Sequence, residues 1–256
     1  MPVVGIIYSD SLNPYVNLAR EVALFEGRAE VSKAAMADHY LLLYRNRPSV
    51  VIGRHQNPWR ECDLAAMEDD GVSLVRRISG GGAVYHDEGN CNWCFVSRKQ
   101  AYDRDHNFAV VLQALKNLGI DGERSGRNDI IVDDRKVSGS AFKVGRDWAL
   151  HHGTMLVDAD LQRLLQYLTA SDRNISSMGV ESVRSRVLNL RKLCSGLGVE
   201  TWMEAMRTAC QQVFGEVQEV AVDFSQLNTA DASILNDWEW QFGKTPDFVH
   251  TVEQNG

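Results

Sequence analysis

Several things are scarce in this sequence, and each scarcity narrows what the chain can be. Only 5 prolines occur in 256 residues, and no Pro/Ser-rich stretch or internal repeat divides the chain. Collagen-like, linker-rich and disordered classes are therefore excluded. Charged residues interrupt every run that approaches the roughly 20 apolar residues needed to span a bilayer, so no membrane helix is expected. Positive charge is also short. With 27 Lys and Arg against 34 Asp and Glu the net charge is −7, so bulk electrostatics will not hold nucleic acid or anionic lipid. Any anion must meet a local basic site. The first nine residues lack a basic segment and a small-residue cleavage site, and a cytoplasmic protein is expected. The 5 cysteines, Cys62, Cys91, Cys94, Cys194 and Cys210, are odd in number and widely spread, which predicts reduced thiols rather than a disulfide framework.

What is present is an ordinary globular composition, 44% hydrophobic and 24% charged. At roughly 150 residues per domain the length suits one large domain with an appendage. Hydrophobic periods of 2 and 3.6 alternate along the chain, which predicts an α/β or α+β class. Strand 3–7 leads into a helix that Asn13-Pro14 caps. Strands 40–44 and 49–52 flank the turn signal Asn46-Arg47-Pro48 and are expected to form a hairpin. A helix over 64–68 and a strand over 72–78 precede the glycine break 79–82, after which strand 83–85 resumes. A helix spans 107–118. Strands 129–132, 136–143 and 148–157 are predicted to form an antiparallel meander, with helices at 160–168 and 201–214. A division into a core over 1–180 and a small C-terminal part over 181–256, packed on that core, is expected.

The densest chemical signal is Arg76-Arg77-Ile78-Ser79-Gly80-Gly81-Gly82-Ala83-Val84-Tyr85-His86-Asp87. Three glycines let backbone N–H groups approach a ligand, and two arginines supply fixed charge, so the run reads as a phosphate or carboxylate cradle. It is neither a P-loop nor a dinucleotide fingerprint; the alternative is a glycine hairpin with solvated arginines. In Lys136-Val137-Ser138-Gly139-Ser140-Ala141, strand alternation puts Lys136, Ser138 and Ser140 on one face, with Lys136 projecting from a rigid support or simply reaching into water. His151 and His152 must face opposite sides, so at most one joins Lys136. Cys91 and Cys94 likewise face opposite sides and cannot by themselves close a zinc site. Trp238 to Pro246 reads as a packing latch rather than a ligand cage.

Taken together, these segments resemble the lipoate-protein ligase and lipoyltransferase family, within the biotin/lipoate protein ligase superfamily. The resemblance rests on Asn57-Pro58-Trp59-Arg60-Glu61-Cys62, the 77–87 glycine loop, Gly126-Arg127-Asn128-Asp129, 135–141, 151–156, Ser182-Val183-Arg184-Ser185-Arg186-Val187 and 238–246. They stand in family order over nearly the whole chain. The Gly-Arg-Gly-Arg signature of biotin ligases is absent.

The resemblance implies a mixed, largely antiparallel sheet flanked by helices, like class II synthetase and biotin ligase catalytic domains. It also implies a two-step reaction in which lipoate and ATP give lipoyl-AMP, and the lipoyl group then passes to a lysine of an acceptor lipoyl domain. The acceptors implied are E2 subunits of 2-oxoacid dehydrogenases and the glycine cleavage H protein. Arg77, Ser79, Gly80, Gly81, Gly82, Ala83, Val84, Tyr85, Asn128 and Lys136 would bind ATP or the adenylate. Lys136 would be the catalytic residue, stabilising charge that grows on the phosphate and acyl oxygens. His86, Lys136, His152 and Thr154 would line the lipoate pocket, with Asp129 a Mg²⁺ contact. Bacterial relatives continue past the Trp-Glu-Trp segment into an accessory domain, whereas this chain stops about ten residues beyond Pro246. That domain is expected to be absent, or to be a separate partner polypeptide. Two alternatives stay open: transfer from lipoyl-AMP only, and an octanoyl or lipoyl transferase working through a cysteine thioester. The thioester route needs a thiol after His152-Gly153, and no cysteine lies between Thr154 and Leu193.

Overall fold

The computed structural model describes residues 3–31, 37–126, 128–169, 175–183, 185–224 and 232–251. Arg127 and Arg184 lie outside the described residues. The chain opens with strand β1 (Val3–Tyr8), helix α1 (Pro14–Phe25), β2 (Glu30–Val31), β3 (His39–Tyr44) and β4 (Ser49–Ile52). Helices α2 (Pro58–Glu61) and α3 (Leu64–Asp69) lead to β5 (Ser73–Arg76), β6 (Val84–His86) and β7 (Asn90–Arg98). Then come α4 (Arg104–Asn117), β8 (Glu123–Arg124), β9 (Asp129–Val132), β10 (Arg135–Val144), β11 (Trp148–Leu156) and α5 (Leu161–Tyr167). The rest comprises β12 (Ile175–Ser177), α6 (Val199–Phe214), β13 (Glu216–Glu219), β14 (Val222–Asp223) and β15 (Phe248–His250).

Eight strands form the main sheet in the order β13-β1-β3-β7-β11-β10-β9-β8, and three form a small sheet, β5-β4-β6. The main sheet is parallel across β13, β1 and β3. From β3 onward every pairing is antiparallel. Period-2 alternation gives this sheet two apolar faces. On one, Leu41, Leu43, Trp93, Phe95 and Val137 pack under α4 and α6. On the other, Leu42, Tyr44, Cys94, Val96 and Leu150 meet Leu24 and Phe25 of α1. The opposite stripe of α1, Leu18 and Ala19, packs on Val51 and Val75 of the small sheet. α1 is thus wedged between the two sheets, and a cleft opens beside it. Asn13 caps this helix, its side chain accepting from the Tyr15 N–H at 3.0 Å, with Pro14 in the first turn.

The expected 40–44/49–52 hairpin does not form. β3 is paired on both sides, by β1 and β7, while β4 lies between β5 and β6. The connecting turn is held instead by α1, since the Asn17 amide donates to Arg45 O at 2.9 Å and Asn46 Oδ1 at 2.8 Å. A polar anchor on the first helix therefore carries the chain from one sheet to the other. The β9-β10-β11 meander is present, and its first turn uses Asp133 and Asp134 at φ 49° and 57°, the left-handed pair that suits a two-residue hairpin. Residues beyond 180 enter the same core: β13 extends the main sheet beside β1, and Trp202, Met206 and Cys210 of α6 are buried with α4. Among the described residues no helix is long and apolar enough to cross a membrane.

Candidate active site

The glycine loop joins β5 to β6 at the edge of the cleft. Gly81 has φ 89°, where a side chain is strained, and a Cβ there would lie 2.9 Å from Arg77 Nη2. Adjacent residues of an extended chain point apart, and this separates the two arginines that the sequence grouped. Arg77 turns toward the loop. It donates from Nε to Ser79 Oγ (3.1 Å), from Nη2 to Gly80 O (2.6 Å) and Gly82 O (2.8 Å), and from Nη1 to Val51 O (3.1 Å). It borders the cavity chiefly as the strut that shapes the loop. Burial lowers its pKa to about 10, still cationic at neutral pH. Arg76 points the other way, fully buried, and donates to Trp240 O, Gln241 O and Thr245 Oγ1. Trp240 Nε1 returns a bond to Arg76 O at 2.8 Å. The aromatic segment is thus bolted to the back of the loop's strand, and Arg76 is not part of the cradle.

Lys136 stands across the cleft on β10, with Nζ 3.0 Å from Asp129 Oδ1 and the two side chains 24% and 17% exposed. Its backbone is clamped by the chain after Ser185, with Lys136 N donating to Arg186 O (2.8 Å) and Leu188 N to Lys136 O (2.9 Å). The expected face-sharing of Lys136, Ser138 and Ser140 does not occur. A bulge between Lys136 and Ser138 shifts the register by one residue and reverses the alternation. Lys136 consequently lies over Gly139, where a Cβ would come within 2.7 Å of its Nζ. Ser138 is buried away from solvent, and Ser140 Oγ donates to Asn128 O at 2.7 Å. Asn128, at φ 66°, accepts on Oδ1 from Arg104 (3.2 Å). Thr154 Oγ1 accepts from Gly139 N at 3.3 Å.

His152 and His151 occupy opposite faces of β11. His151 is fully buried against Trp93 and Phe108, and desolvation lowers its pKa to about 3. His152 faces the cleft, with Nδ1 2.7 Å from Glu21 Oε2 and Nε2 2.6 Å from Ser79 Oγ. A buried chain of bonds therefore runs from α1 through His152 and Ser79 to Arg77 and the loop carbonyls. Glu21 also accepts from Tyr44 Oη at 2.9 Å, which with burial raises the tyrosine pKa well above its usual value. His86 is fixed by a second chain. Asn17 donates to Asn46 Oδ1, so the Asn46 amide nitrogen faces His86 Nδ1 at 2.9 Å and the ring proton resides on Nε2. Burial lowers the His86 pKa to about 3, so it is a neutral donor, and among the described residues Nε2 has no hydrogen-bond partner.

These groups line one cavity of about 440 Å³ between the sheets. Its walls include Arg77, the 80–84 backbone, His86, Asn128, Asp129, Lys136, His152 and Thr154. Ser79 lies just behind the wall, linked through His152. Tyr85 does not reach the cavity, since its ring is buried against Tyr167 under the small sheet. Sequence reasoning left Glu21, Tyr44 and Asn92 unassigned, and gave Ser182 no role. Tyr44, Asn92 and Ser182 line the cavity, and Ser182 Oγ accepts from Ala83 N at 2.8 Å. For Glu21 the available signal was a carboxylate on the apolar stripe of a helix. None of the five cysteines lines the cavity. Burial raises the thiol pKa of Cys62, Cys91 and Cys94, and raises that of Cys210 to about 12.

A buried cation aimed at a glycine loop and a second cation on a bulged strand thus face one cavity that has an apolar side. The family model for the lipoyl protein ligase A/B catalytic domain matches residues 13–211, and the chain belongs to this family. The chain is 43% identical to lipoate-protein ligase A of Psychrobacter cryohalolentis, over 97% of its own length and 75% of the relative's. The crystal structure of P. falciparum LipL1 in complex with lipoate superposes with a TM-score of 0.80 at 31% identity, covering 95% of this chain and 75% of that one. A lipoate-protein ligase A bound with ATP shares the fold, with a TM-score of 0.75 at 24% identity over 94% of this chain and 98% of that one. The chain is thus an enzyme of the lipoate-protein ligase class.

Proposed function

We propose that the enzyme activates lipoate with ATP as lipoyl-AMP and transfers the lipoyl group to a lysine of acceptor lipoyl domains, those of E2 subunits and the glycine cleavage H protein. The observation that carries this reading is Lys136. Its ammonium is held by Asp129 at 3.0 Å on a clamped strand, facing a cavity whose other wall is the glycine loop. In the first step negative charge grows on the α-phosphate as the lipoate carboxylate attacks. In the second it grows on the acyl oxygen as the acceptor amine attacks and AMP leaves. One pre-positioned cation at that junction lowers both barriers more than it tightens substrate binding. Arg77 keeps the loop carbonyls turned inward, which leaves the loop backbone to face phosphate. His86 offers Nε2–H to a ligand acceptor.

Asp129 is the carboxylate suited to share Mg²⁺ with nucleotide phosphates, where the metal would neutralise phosphate charge. The apolar side of the cavity, with Leu18 and Val51, fits an acyl tail. The cysteine-thioester route is disfavoured, because no thiol lines the cavity and burial keeps four of the five protonated.

The test is to incubate the chain with lipoate, ATP, Mg²⁺ and a recombinant lipoyl domain. Pyrophosphate release and lipoyl-lysine formation are both expected to need ATP. Transfer without ATP from an octanoyl carrier, with an acyl-thioester trapped on the enzyme, would overturn the proposal.

A further inference from the structure

Behind the cavity wall, three atoms of ligand type meet where no step of the proposed reaction needs them all. A carboxylate oxygen of Glu21, the sulfur of Cys94 and a ring nitrogen of His152 lie within 4.8 Å of one another, and all three residues are buried. They come from α1, β7 and β11. His152 and Cys94 are directly opposed in the β7–β11 register, so both side chains project from the same face of the sheet. Hydrogen bonds from Tyr44 and His152 hold the Glu21 carboxylate in place beside Cys94.

We propose that Glu21, Cys94 and His152 form a binding site for a thiophilic divalent cation of the zinc class, distinct from any magnesium that accompanies the nucleotide. The donor set decides the class: one thiolate, one imidazole and one carboxylate suit zinc, whereas magnesium takes oxygen ligands and keeps its waters. Charge agrees. A thiolate and a carboxylate neutralise the dication, which lets it reside among Leu42, Val96 and Leu150 without an uncompensated charge. Geometry is within reach, because zinc bond lengths of about 2.0–2.3 Å set tetrahedral ligand atoms roughly 3.3–3.8 Å apart. Atoms already within 4.8 Å meet that by small side-chain rotations.

Proton balance is simple. Bonds form from the metal to sulfur, to Nδ1 and to a carboxylate oxygen, and the Cys94 proton leaves to solvent. The His152 proton moves from Nδ1 to Nε2, where Ser79 Oγ, 2.6 Å away, becomes its acceptor. His152 and Tyr44 line the cavity, so the site borders it. A bound cation therefore reverses the hydrogen bond on which the glycine loop rests. Zinc is expected to inhibit, a consequence that rests on the proposed function, whereas the test below reads the metal directly.

The reduced, metal-free full chain is titrated with cobalt(II) and followed by absorption. One equivalent is expected to give a thiolate-to-cobalt charge-transfer band and the intense visible bands of tetrahedral cobalt, both bleached by zinc. The Cys94→Ser protein should lose the charge-transfer band and bind at least about tenfold more weakly. Cys194→Ser, at the partly exposed cysteine, should behave as wild type. Absence of the band in wild type, its persistence in Cys94→Ser, or its loss in Cys194→Ser overturns the assignment. Should Cys94→Ser misfold by circular dichroism, Glu21→Gln decides. It must keep the band and weaken binding at least about tenfold, and unchanged affinity overturns the proposal.

Discussion

Replacing Ser79 with alanine tests the buried relay that supports the glycine loop. Ser79 is 1% exposed, and its single oxygen accepts from Arg77 Nε at 3.1 Å and meets His152 Nε2 at 2.6 Å. Truncation leaves the imidazole nitrogen without its protein partner at a residue only 8% exposed, which costs about 1–3 kcal/mol. Arg77 Nε keeps a longer bond to Gly80 O at 3.2 Å, so its loss is partial. Weakening this charge-assisted bond adds about 1 kcal/mol, for a total destabilisation of about 2–4 kcal/mol. With a urea slope of about 3 kcal/mol/M, the unfolding midpoint should fall by about 1 M. The loop would also be less ordered before binding, so affinity for a non-hydrolysable lipoyl-AMP analogue should drop by about five- to tenfold. Urea unfolding and titration calorimetry on the same preparation read the two effects separately. If Ser79→Ala retains both the wild-type midpoint and the wild-type affinity, the relay carries no load and the account of the loop is wrong.

The remaining tests address other parts of the site. Lys136→Ala should slow both half-reactions on the order of 10²-fold or more while leaving the circular dichroism spectrum unchanged, and wild-type turnover would remove Lys136 from the reacting centre. Gly81→Val places a branched side chain at φ 89° and 2.9 Å from Arg77 Nη2, so adenylate affinity should fall before global stability does, as calorimetry and thermal unfolding would show. Changing all five cysteines to serine should preserve most activity, with iodoacetamide a poor inhibitor. Loss of transfer from a single cysteine change would revive the thioester route. For pH, His86 and His151 have native pKa values of about 3, below the unfolded value of 6.5, so the unfolded state binds more protons in that window. Their contribution is fully present above about pH 6.5 and falls as pH drops toward 3, by up to about 4 kcal/mol between pH 7 and pH 5. Urea midpoints at the two pH values check this, and equal stability would contradict the neutral burial of both rings.

Local chemistry made much of this protein readable in advance. Asn13-Pro14 marks a helix start because capping acts over two or three residues. The Asp133-Asp134 hairpin and the opposite facing of His151 and His152 follow from turn geometry and strand alternation. Motif order also pointed to the family. Where reading failed, the deciding partner was distant in sequence. The turn at Asn46 looks like a hairpin until Asn17, 29 positions earlier, is seen holding it. Alternation along β10 predicts one polar face until the bulge between Lys136 and Ser138 inverts it.

What the sequence determined by itself is the inventory: a globular mixed α/β chain, a glycine loop flanked by arginines, a strand lysine, paired histidines and thiols with no disulfide pattern. These depend on composition, period and short-range stereochemistry, which the chain carries unfolded. Tertiary structure alone decided the assignments. It sent Arg76 to the aromatic latch and Arg77 to the loop, gave Lys136 to Asp129, withdrew Tyr85 into the small-sheet core and brought Glu21 of the first helix against His152 of β11. The Glu21–His152 contact joins residues 131 positions apart, and its hydrogen bond gains strength only when both side chains have been taken out of water.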